Sequence, residues 1–291
     1  MSKGYSIHIG VNEVSMPRFE GWKGSLYAAE ADAIAMQELA KSLHYENDGV
    51  ILTENATYDR VMQEIDFAQK YLESGDQLLF TFSGHGAQFR DLNGDEQDSE
   101  PIQYDEAIVL YDDVLVDDEL YAHWRKFDPG VKIVMICDSC YSGTISQRRF
   151  VPWMKLAGDE TESPSFEWPH HPKFLPRYIA ELVFAKNYLH FEAIQKSFPK
   201  GDQVDVEGPS IISLSACRDN EIAEEGDLYG IFTGYLLDVW ATRTRGMTYD
   251  ELHSKIVAAV SGDGFKQVPA INWPRTGTSR PPNQDKALVL N

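Results

Sequence analysis

Short apolar runs alternate with amphipathic stretches along this chain. The runs "YSIHIGVN" (5–12), "GVILTE" (49–54), "DQLLFTFSG" (76–84), "VKIVMICDS" (131–139) and "SIISLSACR" (210–218) have the length and near-continuous hydrophobicity of strands covered on both faces, and "KALVL" (286–290) closes the chain. Between them, helical spacing fits 25–43, 57–73, 117–127, 230–243 and 248–262. The first of these is the clearest, with Leu26, Ala29, Ala33, Met36, Leu39 and Ala40 on one face. Strands alternating with helices predict an α/β fold built on a mostly parallel sheet.

Two segments break the alternation. Residues 90–106 are acidic and turn-rich, which predicts a solvated loop. Its "DLNGDE" resembles the opening of a calcium loop, but Glu96 stands where an EF-hand requires glycine, so an EF-hand is not expected. The second, 144–209, begins near the basic pair Arg148 and Arg149 and is too long for an ordinary connection. Within it, 176–198 has helical periodicity, so part of this insertion is expected to be ordered.

Composition narrows the class. With 291 residues, 43% of them hydrophobic, the chain can bury a full core. No run approaches the length of a membrane span and the start has no signal-peptide shape, which makes the cytoplasm the expected compartment. The three cysteines, Cys137, Cys140 and Cys217, are an odd count, and the single CxxC-spaced pair Cys137 and Cys140 has no second pair beside it, so neither a disulfide framework nor a structural zinc site is expected. A formal net charge of -20 repels nucleic acid and anionic membranes; cationic partners are its counterpart, although acidity also serves solubility alone.

The candidate chemistry sits at two strand ends. "DQLLFTF" runs into Ser83, Gly84, His85 and Gly86, and "VKIVMIC" runs into Asp138, Ser139 and Cys140. In an open parallel sheet the carboxyl ends of the strands lie along one edge, so an imidazole and a thiol there can meet in space. A neighbouring imidazole takes the proton of a thiol or stabilises its anion, which supplies the chemistry of a cysteine hydrolase. Gly84 and Gly86 would let the backbone turn sharply, and the Gly86 and Cys140 amides could together receive an oxyanion. On pattern alone, the same residues also suit a histidine in a tight turn and a small buried hydrophobe. Cys137 and Cys217 fall in apolar runs and read as core.

"FTFSGHGAQ" with "IVMICDSCYSG" resembles the metacaspases, caspase-like cysteine peptidases. The likeness extends to "SLYAAEADAIAM", "YDEAIVLYD", "VDDEL", "ISLSACRDNEIAEE" and "GIFTGYLL", leaving out most of 144–209. It implies a caspase-like fold, with a six-stranded, mostly parallel sheet and helices on both faces, as one peptidase domain: a large-subunit-like region 1–143, an insertion or linker 144–209, and a small-subunit-like region 210–291. It further implies cleavage after Arg or Lys, with His85 and Cys140 catalytic, Gly86 at the oxyanion, and Asp32, Ser83 and Asp138 lining a pocket for the cation. Peptides with basic residues are the implied partners, acting on a monomer.

Calcium is implied as a possible activator, with Asp117 and Asp118 at the matching place, but Gln147 stands where the family often has a further aspartate. The same two acids also suit an ordinary helix N-terminus. Self-cleavage is expected after Arg148, Arg149 or Lys155, whereas Arg177, Lys186 and Lys196 would be shielded by helical order; a permanent cap over the cleft is the competing expectation. Three other functions stay open: a caspase-fold peptidase with Asp or Asn specificity, a catalytically silent scaffold, and a thiol acyltransferase.

Overall fold

Strands that are covered on both faces need helices above and below, and the computed structural model supplies them. It describes residues 2–47, 49–92, 104–140, 171–197, 208–218, 221–272 and 286–290. Strands β1 (Gly4–Gly10) and β3 (Gln77–Ser83) are buried along their whole length. With β2 (Val50–Leu52), β7 (Lys132–Asp138), β8 (Ser210–Ser215) and β9 (Ala270–Asn272) they form a six-stranded sheet in the order β2-β1-β3-β7-β8-β9. All neighbours run parallel except the β8–β9 pair.

Strand alternation divides the core in two. Ile7, Ile9, Leu78, Phe80, Phe82, Ile133 and Cys137 face one cluster, with α2 (Tyr58–Tyr71) and α3 (Asp117–Trp124) packed against it. Leu79, Val134, Ile136, Ile212 and Leu214 face the other, covered by α1 (Ala29–Ser42), α6 (Ile231–Ala241) and α7 (Tyr249–Gly262). Successive side chains thus feed opposite layers, the expected consequence of a two-residue period. Helix α7 is fixed at its start by a capping box between Thr248 and Glu251, and α2 by the Thr57 side chain.

The fold differs from expectation in three places. First, "KALVL" is not the closing strand. Ala287 and Leu288 are buried, but Leu288 has φ 53°, which no extended strand tolerates, and their amides bond the Met247 carbonyl and the Tyr249 hydroxyl instead. The sixth strand is β9, running antiparallel. Second, the ends of the acidic segment are strand. β4 (Gly86–Arg90), β5 (Tyr104–Val109) and β6 (Val114–Val116) form a separate antiparallel sheet, with residues 93–103 outside the described ones. Its strands are short, and Asp105 is buried against Gln195, so acidity there does not mean solvation. Third, the chain bends at Gly84 as expected but without the left-handed backbone that glycine allows, since neither Gly84 nor Gly86 has a positive φ, and Gly86 opens β4. The insertion is ordered over 171–197, where α4 (Arg177–Lys186) and α5 (Tyr188–Ser197) follow the predicted periodicity.

Helix α1 lies very close to β1. A Cβ at Gly10 would collide with the Ala29 carbonyl and the Glu30 Cα, which are backbone and cannot swing away. Gly10→Ala is therefore expected to destabilise the chain by about 1–3 kcal/mol, the usual penalty of overpacking, read as a lowered urea midpoint at unchanged slope.

Candidate active site

The parallel register sets the pocket. Ser83 and Asp138 are direct partners across the β3–β7 ladder, each the last residue of its strand. Asp32, in the first turn of α1, comes down onto them, and its Oδ2 accepts from the Ser83 hydroxyl at 2.7 Å. Asp32 and Asp138 are each 1% exposed. Their outer oxygens are held by the start of α6: the Gly230 amide donates to Asp32 Oδ1 at 2.9 Å, and the Thr233 amide and hydroxyl donate to Asp138 Oδ2 at 2.9 and 2.7 Å.

A cation fills this pocket, and it belongs to the chain itself. Lys173, 0% exposed, places its Nζ 2.9 Å from Asp32 Oδ2, 3.0 Å from Ser83 Oγ and 3.1 Å from Asp138 Oδ1. Burial alone would depress the ammonium pKa, but the Asp138 and Asp32 carboxylates outweigh it and hold the group above the ordinary lysine value. Burial pushes Asp32 up to about 6 against the pull of Lys173.

The backbone around Lys173 lies in the cleft as an extended strand. Its amide donates to the Ala223 carbonyl at 2.9 Å, the Glu225 amide donates to the His171 carbonyl at 3.0 Å, and Pro172 bridges Glu224 in antiparallel fashion. On the other side, the Leu175 amide donates to the Gly86 carbonyl at 2.7 Å. Between these anchors the Lys173 carbonyl accepts two amides, Gly86 at 3.1 Å and Cys140 at 3.0 Å. Two converging N–H groups can stabilise negative charge on a carbonyl oxygen.

The two amides on this carbonyl come from Cys140 itself and from Gly86, the residue after His85. His85 Nε2 lies 2.9 Å from the Gly24 carbonyl, which can only accept, so Nε2 carries the proton and Nδ1 keeps its lone pair. Gly24 has φ 59°, and the Trp22 ring packs on the imidazole at 4.7 Å. Nδ1 is buried without a hydrogen-bond partner among the described residues, beside the Phe174 main chain. Burial lowers the His85 pKa to about 4, so the ring is a neutral base. The Cys140 thiol donates to the Glu221 carbonyl at 2.6 Å, and the Cys217 thiol donates to the same oxygen at 3.5 Å. The Cys140 thiol and then burial push the Cys217 thiol well up, so it stays protonated, and Cys217 is buried in a core cluster as its apolar surroundings predict.

The caspase domain family matches residues 8–277. The chain belongs to that family. Metacaspase-1 of Schizosaccharomyces pombe is 26% identical over 99% of this chain and 70% of its own length. Metacaspase-1 of Arabidopsis thaliana is 38% identical over 34% of this chain, so the chain spans only 25% of that relative. Among solved structures, protein GSU0716 from Geobacter sulfurreducens has a TM-score of 0.79 at 30% identity over 99% of both chains. Caspase-1 of Spodoptera frugiperda, 13% identical with a TM-score of 0.53 over 96% of this chain and 88% of its own, shares the fold. The chain is a cysteine peptidase of the caspase family.

Within this caspase domain, His85, Gly86, Cys140, Asp32, Ser83 and Asp138 gather at one edge of the sheet. Asp117 and Asp118 open α3, where Asp117 Oδ1 accepts from the Asp118 amide at 3.0 Å; among the described residues no group of three or more His, Cys, Asp or Glu side chains could hold a metal ion. Arg148, Arg149 and Lys155 lie outside the described residues, whereas Arg177, Lys186 and Lys196 are on α4 and α5. Sequence reasoning missed Lys173, Gly24, Thr233 and Gly230. A Cβ at Gly230 would collide with Asp138 Oδ2 and Lys173 Nζ, so glycine makes the room for the cation. No helix among the described residues is long and apolar enough to cross a membrane.

The depressed His85 pKa links to stability. Between about pH 4 and 6.5 the unfolded chain binds a proton at this position and the folded chain does not, so stability contributed by the neutral ring falls as pH is lowered through that window. His8, held down to about 3 by burial, acts in the same sense and continues to lower pH. Urea unfolding of the wild type at pH 7 and pH 5 should therefore show a loss of stability on acidification that is smaller in His85→Gln; equal losses would contradict the assignment of a buried neutral His85.

Proposed function

We propose that this caspase domain is an endopeptidase that cleaves after Lys or Arg, with Cys140 as nucleophile and His85 as base and acid. The observation that carries the reading is Lys173, which occupies the cleft as a peptide substrate would: ammonium between Asp32 and Asp138, carbonyl oxygen between the Gly86 and Cys140 amides, and main chain paired on both sides. Guanidinium suits the same pocket, because two carboxylates and a hydroxyl offer acceptors to its forked donors.

The mechanism follows from these positions. The Cys140 thiol leaves the Glu221 carbonyl, passes its proton to His85 Nδ1 and attacks the carbonyl carbon of the basic residue. The oxygen takes the negative charge, and the two amides hold it. Collapse breaks the C–N bond, His85 protonates the departing amine, and a thioester to Cys140 remains. Water, deprotonated by His85, hydrolyses the thioester and returns the thiol. Gly24 keeps the productive tautomer throughout, a task that elsewhere falls to a carboxylate. Calcium activation stays a secondary proposal, resting on Asp117 and Asp118 at the start of α3.

With its cleft occupied by its own chain the enzyme is latent, and the peptide bond in register with Cys140 and His85 is Lys173–Phe174. The residue that the pocket holds is thus a further candidate for self-processing, beside Arg148, Arg149 and Lys155, which lie outside the described residues.

A panel of fluorogenic peptides at saturating concentration, varied at the residue before the scissile bond, tests the reading. Turnover is expected with Arg and Lys and not with Asp or Asn, and none in folded Cys140→Ala or His85→Ala. Asp138→Ala and Gly230→Ala should each lower kcat/KM more than tenfold, at about 1.4 kcal/mol per factor of ten. Activity in folded Cys140→Ala, or equal rates with Asp and Arg peptides, would refute it.

A further inference from the structure

Cutting Lys173–Phe174 would not by itself empty the cleft. On the acyl side, Lys173 is held by three contacts at Nζ, by the Ala223 carbonyl and by the two amides on its own carbonyl, and His171 is held by Glu225. On the amine side, Leu175 is bonded to Gly86; Phe174 and Leu175 are 3% and 2% exposed, each in one of the two core clusters. Helix α4 follows at once, with Ile179, Ala180, Val183 and Phe184 buried. The two halves also share one sheet: β7 precedes the cut, β8 follows it, and the two pair in parallel from Lys132↔Ser210 to Cys137↔Ser215. Both new ends would stay in these contacts after the cut.

We infer that this chain has a second activity, peptide ligation: it re-forms its own Lys173–Phe174 bond, so that scission and resealing interconvert in the closed cleft. The inference rests on the peptidase reading. Attack by Cys140 breaks the C–N bond, forms the thioester to the Lys173 carbonyl carbon and leaves the Phe174 amine, with the proton delivered by His85. The reverse step needs nothing further. The neutral amine attacks the thioester, the C–N bond forms, the C–S bond breaks, and the proton returns through His85 to the Cys140 thiolate. No oxidant, reductant or nucleotide is required, because the thioester conserves the energy of the amide.

Partition between water and amine decides the outcome. An amine held at the reacting centre reaches effective concentrations on the order of 10⁵–10⁸ M in the best intramolecular cases, so the held Phe174 amine recaptures the acyl-enzyme many times for each entry of water, and over a long incubation the entries of water accumulate. When water does win, the Lys173 carboxylate stays in the same contacts, and Cys140 can reacylate it with loss of water. Latency is then relieved when the 171–175 segment is displaced rather than when the bond is cut.

Oxygen exchange tests this directly. Purified wild-type chain is incubated in H₂¹⁸O, intact chain is separated from cut chain under denaturing conditions, and peptides spanning residues 173 and 174 are weighed after digestion with a Glu-specific protease. Hydrolysis followed by resealing leaves ¹⁸O in the Lys173 carbonyl of intact chain, a gain of about 2 Da, and the high effective concentration of the held amine favours resealing over release. The gain should be absent in Cys140→Ala and in wild type alkylated at Cys140, the second control covering any folding defect of the first. The same sample is assayed on Arg and Lys peptides. Peptide turnover with unlabelled intact chain, whether the chain stays whole or is cut to completion, overturns ligation alone. No turnover and no label overturn the peptidase reading and ligation together.

Discussion

The buried ammonium of Lys173 between two buried carboxylates is the interaction on which the cleft depends. Removing any of these charges from water costs several kcal/mol per ion, and the cost is offset only when each is paired and hydrogen-bonded. Asp32 and Asp138 meet that condition through Ser83, Gly230 and Thr233, but these donors are neutral. Two carboxylates this close still call for a cation, and the rise of Asp32 to about 6 reflects both burial and the nearby Asp138 charge. An uncharged occupant would leave both acids uncompensated, a loss of about 3–5 kcal/mol for a broken buried pair. The same physics makes the internal lysine hard to dislodge.

Everything around the cation follows from the parallel sheet. Because β3 and β7 run side by side in register, Ser83 and Asp138 end together, and the two residues that follow each strand bring His85 and Cys140 to the same edge. Because β1 feeds α1 across that edge, Asp32 arrives from above. Because β8 feeds the loop 221–225 and then α6, the strand that pairs with 171–173 and the donors to both acids come from the opposite flank. The pocket is thus closed by segments from both ends of the chain, and a residue of the insertion lies between them.

Much of this arrangement is legible in the amino-acid sequence. Five of the six strands of the main sheet and the core helices among the described residues follow from apolar runs and helical spacing, and the Gly-flanked His85 and the strand-end Cys140 mark the site by residue type. What is not legible has a physical reason in each case. β4 and β5 mix polar or charged residues with apolar ones over five and six residues, and β6 has only three, so no periodicity emerges. β9 has only three residues. The partner of His85 is a backbone carbonyl, and the main donors to the acids include backbone amides, which no side-chain pattern announces. Lys173 reads as one charge among many; its signal is the setting "HPKFLP", a single cation among apolar residues immediately before a helix, where a solvated lysine has no need of such neighbours.

The central claim is that a cation supplied by the chain holds the cleft shut, and exchange of that one residue tests it most directly. Initial rates on an Arg peptide held well below its KM should rise at least tenfold in Lys173→Ala, where nothing fills the pocket, and remain at the wild-type level in Lys173→Arg, whose guanidinium satisfies the same carboxylates. A folded Lys173→Ala chain no faster than wild type would contradict the account.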